Sequence, residues 1–133
     1  MEADSRDTLI GTLFHRDFRD PSAPKARAGS PFRLATWNIE RGYKLDGCIK
    51  ELWRLNADVL ALQEVDVACD RSRGRDTGLE IARALKLNYV FLPEFEELRS
   101  PLRSPSAQGG GLHGNALATR FDVLEARVLR HRQ

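Results

Sequence analysis

At 133 residues, with 41% hydrophobic and 30% charged side chains, the chain has the size and composition of one globular domain able to bury a core. A bilayer-spanning helix needs about 18 apolar residues in a row, and no such run is present. The net charge of +2, with both signs interspersed, gives no basic footprint over the whole chain and leaves long polyanions neither indicated nor excluded.

The opening MEADSRDTLIGTLF carries acidic residues where a secretory signal is basic, and Gly11 and Thr12 break its apolar stretch. An intracellular location, cytoplasmic or nuclear, is expected. Thr8 to Arg16 has the pattern of a short helix, and the following RDPSAPKARAGSP is rich in Pro, Ala, Ser and Gly without periodicity. Residues 1–31 therefore read as a flexible tail. His15, Asp17 and Asp20 lie close together but match no metal-ligand spacing. Cys48 and Cys69 also lack such a spacing, and Cys48 falls in a helical pattern, so two reduced thiols are expected.

Phe32 to Asn38 alternates with period two and contains aromatic and β-branched members, which predicts a strand, with Gly42 marking the turn after it. From Lys44 to Leu55 the residues Leu45, Cys48, Ile49, Leu52, Trp53 and Leu55 recur at helical spacing, and Asn56 can end that helix. Val59 to Leu62 is a continuous apolar run, the mark of a central strand covered on both faces. A strand, a helix and a parallel strand in succession carry Asn38 and Glu64 to one edge of a sheet, where open α/β sheets keep their ligands.

Thr77 to Leu85 is again helical in period, with Asp76 or Thr77 as N-cap. Asn88 to Leu92 reads as a short strand closed by Pro93, and Glu94 to His113 as a long loop. Gly114 to Arg120 and Val123 to Leu129 read as two strands joined at Phe121 and Asp122. The arginines at 71, 73, 75, 99, 103, 120, 127, 130 and 132 outnumber nearby acids, and a solvated face accounts for them.

ATWNIERG, then DVLALQEVD after a helix-length spacer, then GLHGNALATR, resembles the endonuclease/exonuclease/phosphatase superfamily of metal-dependent phosphoester hydrolases. The resemblance runs from about Phe32 to about Leu129. It implies a partial α/β/β/α sandwich, with residues 32–133 forming the amino-terminal half of the two-sheet domain. It also implies Mg²⁺, with Mn²⁺ as a substitute, and a phosphoester substrate such as a nucleic acid, a phosphoinositide or a phospholipid headgroup.

Mg²⁺ needs a hard anionic oxygen donor, and Glu64, at the carboxyl end of a buried strand, meets that need. Pattern alone leaves a solvated strand-end glutamate equally open. Asn38 can turn its amide to a phosphate oxygen and its carbonyl to a cation, whereas a strand-ending Asn can equally bond its own backbone. The resemblance favours a catalytic and metal-adjacent role for both residues. Glu40, two residues past Asn38 in an extended chain, resembles a second acidic ligand.

Trp37 points to the opposite face from Asn38 and is expected in the core. Arg71 and Arg75 are candidates for clamping a phosphate, or for surface ion pairs with Asp70 or Asp76. His113 and Asn115 are candidate substrate contacts within a glycine-rich strand entry.

Superfamily members also use an Asp-x-Asn pair and an Asp-His pair, and neither occurs in this sequence after Glu64. The resemblance thus implies a hydrolase site present in part, and poor turnover. The alternatives are a non-catalytic half-domain acting as a binding or regulatory partner, and an unrelated small α/β module. A half sandwich also leaves one sheet face bare, with Leu34, Val90, Leu92, Leu117 and part of Val123 to Leu129 the residues expected to lose cover and to drive self-association.

Overall fold

The helical period through Leu45, Cys48 and Leu52 becomes α1 (Leu45–Leu55), which buries those three residues. It ends at Asn56, whose left-handed backbone (φ 51°, ψ 48°) returns its N–H to the Leu52 carbonyl. α2 (Thr77–Leu85) starts on Asp76, whose carboxylate accepts from the Leu79 N–H at 3.2 Å. The structure, a computed structural model, describes residues 9–27 and 29–131.

Five strands form one mixed sheet. They are β1 (Phe14–Asp17), β2 (Leu34–Asn38), β3 (Val59–Val67), β4 (Asn88–Glu97) and β5 (Gly111–Thr119), in the order β1-β4-β5-β3-β2. Only β2 and β3 run parallel, joined through α1 as the sequence predicts; the other pairs are antiparallel. β5, not β3, is the central strand.

Strand alternation sorts the two faces. Leu60, Leu62, Tyr89, Phe91, Ala116 and Ala118 pack under Leu45, Cys48 and Leu52 of α1 and Ile81 and Ala82 of α2 in one core. The alternate residues form the opposite face, which no helix among the described residues covers. There Leu34 is 65% and Leu117 41% exposed, while Val90 and Leu92 are half-buried.

Several expectations are corrected. Phe14–Asp17, overlapping the end of the predicted Thr8–Arg16 helix and inside the predicted tail, is a strand pairing with Asn88–Phe91; Thr8 itself lies outside the described residues. A short apolar run does not discriminate helix from strand, and the outer edge of β4 decides it. β4 continues through Pro93 to Glu97, because Pro93 sits at a register shift where a ladder donor is not required. The loop after it is correspondingly shorter, and β5 begins at Gly111.

Val123 to Leu129 is not a strand. Both sides of β5 are already taken by β3 and β4, and Leu124 and Leu129 stay exposed. Trp37, expected in the core, is 38% exposed, since β2 is an edge strand that α1 covers only around Ala35. Trp53 on α1 is likewise exposed. Both cysteines are free and buried.

Candidate functional site

Parallel pairing of β2 and β3 sets Asn38 opposite Gln63, and the Ile39 N–H donates to the Gln63 carbonyl at 3.1 Å. Glu64 follows at once, in a β-bulge. Leu62 pairs with Ala116 and Val65 with Gly114, so β3 carries one residue more than β5 across this interval. Glu64 takes the left-handed conformation (φ 55°) that the bulge requires, as do Glu40 (φ 50°) and Arg41 (φ 59°) in the turn after β2. Non-glycine residues in that region cost about 1–3 kcal/mol each and persist only where their surroundings enforce them. Three of them at the joint end of β2 and β3 mark it as a strained corner.

The bulge turns the Glu64 carboxylate toward Arg41, whose guanidinium lies 3.5 Å away, with both side chains about one-third exposed. Asn38 accepts the Glu40 N–H on its Oδ1 at 3.0 Å. This is the self-bonded arrangement open to a strand-ending Asn, and it fixes the amide orientation: the carbonyl is occupied and the NH₂ has no acceptor among the described residues. Asn38 thereby presents its NH₂ to an anion, while the second lone pair of its carbonyl stays open to a cation. Glu40 leaves the extended path at its positive φ, so it does not line up with Asn38. Its charge instead adds to burial in pushing the Cys48 thiol up. The expected extended-chain alignment of Glu40 with Asn38 is corrected accordingly.

Arg71 is not available to a substrate either. Its side chain is 6% exposed and forks onto both oxygens of Asp66 at 2.8 and 2.9 Å, with Glu97 at 3.2 Å. Asp66 is fully buried and also receives His113 Nδ1 at 2.7 Å. Because a carboxylate only accepts, the Nδ1 proton points at Asp66. Burial pushes the Asp66 carboxyl up, and the bonds from Arg71 and His113 reverse this and hold it below the usual range.

Arg75 pairs with Glu80 and Asp46, while Asp70 is taken by Arg99. Asn115 stays exposed on the open face and donates to Glu94 at 2.9 Å. The sequence reading missed Asp66 altogether. A signal was present: two residues past Glu64, an acid inside an otherwise apolar strand needs a buried cation, and Arg71 is five positions on.

Among the described residues no group of three or more His, Cys, Asp or Glu side chains is arranged to hold a metal. Mg²⁺ does not require one, since it binds through one or two carboxylates with waters and substrate phosphates completing its shell. Glu64, partly exposed and held among the described residues by one long ion pair, fits a site of that open kind.

The sequence profile of the endonuclease/exonuclease/phosphatase family matches residues 35–132, most of the chain and all of the corner just described. The chain belongs to the endonuclease/exonuclease/phosphatase family. Comparison with curated proteins and with solved structures gave no match. Membership puts the chain in a superfamily of phosphoester hydrolases, and the mixed five-stranded sheet with two helices is an α/β arrangement consistent with part of that family's fold. No helix among the described residues is long and apolar enough to cross a membrane.

Proposed function

We propose that this endonuclease/exonuclease/phosphatase chain carries the metal-binding corner of a Mg²⁺-dependent phosphoester hydrolase, with Glu64 as the anionic ligand. The observation that supports this reading is a carboxylate held by a strained bulge at the strand end beside Asn38, whose free amide donors suit a phosphate oxygen. When bound, Mg²⁺ or Mn²⁺ supplies charge neutralisation and Lewis acidity at the phosphoryl group. Glu64 would hold the ion by one carboxylate, and Asn38 would orient the phosphate through its NH₂. Asn115, on the same open face, can give up Glu94 to contact a nucleic acid, phosphoinositide or phospholipid headgroup.

Neither the Asp-x-Asn pair nor the Asp-His pair that supplies proton transfer and charge stabilisation in relatives is present in this sequence. General acid–base help contributes typically about 10²- to 10⁴-fold, so turnover by this chain should be low even with metal bound. The buried, reduced thiols suit an intracellular setting.

Calorimetric titration with Mg²⁺ and Mn²⁺ tests the ligand assignment. Weak binding is expected for the wild type and none for Glu64→Ala. Tight binding that survives the substitution would move the metal elsewhere, first to Asp17 and Asp20. The uncovered sheet face favours a second reading, a half-domain that binds a partner without catalysis. Weak hydrolysis of a small aryl phosphodiester that Glu64→Ala abolishes would support the first reading over the second.

A further inference from the structure

The Arg41 side chain is caught between two uses. One guanidinium nitrogen faces Glu64 at 3.5 Å, longer than a good charge-assisted hydrogen bond. Its Nε is buried with no hydrogen-bond partner. Buried polar atoms are almost always paired, so an orphaned donor calls for an explanation. The guanidinium lies 6.0 Å from the Tyr43 ring centroid, at the limit of a cation–π contact. Meanwhile the backbone of Arg41 is kept left-handed (φ 59°) in the Glu40–Gly42 turn, which holds this side chain over the carboxylate.

Asn38, paired with Gln63 one residue before Glu64, is exposed, and its NH₂ has no protein acceptor among the described residues. The corner therefore has one cation loosely paired to Glu64, its buried Nε without a partner, and the Asn38 NH₂ open to solvent close by in sequence. The missing group is an anion. A phosphate would offer acceptors to both residues, provided Glu64 has been taken by something else.

We propose that Arg41 is a substrate-binding residue that serves as the counter-ion of Glu64 in the resting protein, and that a divalent cation displaces it from Glu64 so that its guanidinium forks onto the phosphoester beside Asn38. The proposal rests on the reading of Glu64 as metal ligand. It makes metal and phosphate binding mutually reinforcing, because each removes the other's competitor. Arginine suits the role better than lysine, since its planar fork can exchange one carboxylate for one phosphate without loss of charge.

The test uses Mn²⁺, counted by its electron spin resonance signal, and inorganic phosphate, followed by ³¹P relaxation. Arg41→Asn removes the charge and keeps a residue that tolerates left-handed backbone. It should bind Mn²⁺ about 2- to 5-fold more tightly, the worth of a partly exposed ion pair. Phosphate affinity of the Mn²⁺-loaded chain should fall about 10-fold, the loss of one charge-assisted contact. Arg41→Lys should restore the competition with Mn²⁺ but only part of the phosphate affinity. Without metal, Glu64→Gln should bind phosphate better than the wild type, because Arg41 is released.

Unchanged phosphate affinity in Arg41→Asn, or no metal-free gain in Glu64→Gln, would overturn the proposal and leave Glu64 a metal ligand. Equal Mn²⁺ binding by the wild type and Glu64→Gln would instead defeat the ligand assignment itself. Thermal melts of each variant identify any loss of fold.

Discussion

Asp66 carries the largest electrostatic stake of any single residue here. Its carboxylate is fully buried and is bonded by both Arg71 and His113, with Arg71 also shared by Glu97. Removing one partner of a buried pair leaves an uncompensated charge and costs about 3–5 kcal/mol. Asp66→Asn should fall at the lower end, about 3 kcal/mol by urea denaturation, because Glu97 remains to Arg71. The folded carboxyl is depressed below its unfolded value of about 3.9, so this stabilisation is fully present above that pH and is lost as pH falls through the folded value. Wild-type stability should therefore drop steeply below about pH 4, and the Asp66→Asn variant should show a shallower acid limb. An equal acid limb in the two proteins would mean that Asp66 is not the titrating group. Of this cluster, the sequence offered Arg71 and His113 as substrate contacts, and it could not do better: which acid a cation meets depends on strand register, and Asp66 meets His113 only because β5 lies beside β3.

The bulge in β3 separates what the element needs from what the site needs. Glycine tolerates positive φ without the Cβ penalty of about 1–2 kcal/mol, and the Glu64 position adopts φ 55°. Glu64→Gly should thus be more stable than Glu64→Ala by about 1 kcal/mol, while both lose metal binding. Equal stabilities would show that the bulge relaxes when its side chain is cut. Bulges are also what the sequence pattern hides. α1, α2, β2 and the start of β3 follow directly from periodicity, and the parallel β2–β3 pair with Asn38 and Glu64 at one end follows from them. The register shift after Leu62, and the one after Pro93 on the other flank of β5, break the alternation just where the site residues lie. The alignment of Glu40 with Asn38 fails for the same reason, since a left-handed residue ends the rule that alternate side chains share a face.

The whole sheet has one clothed face and one bare one. Leu34 and Leu117 are exposed on the bare face, and Val90 and Leu92 lie half-buried beside them. Contiguous apolar surface of this kind beyond a few hundred Å² marks an interface or an aggregation hazard. The chain is expected to elute from size exclusion larger than a monomer, or to bind a hydrophobic-surface dye strongly, and Leu117→Lys should weaken both. A dye-silent monomer would show that the face is covered in solution.

Strand order also sets a timetable. β1 precedes the other strands, yet its neighbour among the described residues, β4, pairs Phe91 with Phe14, across most of the chain. At about 5–20 residues per second of synthesis, β1 waits roughly 4–15 s on the ribosome for its partner to appear. When β4 does emerge, its two flanks are claimed from opposite directions in time, by a segment already made and by β5, which is still to come. Any second chain nearby carries the same unpaired early segment, so exchange of β1 between nascent neighbours is the characteristic error this topology invites.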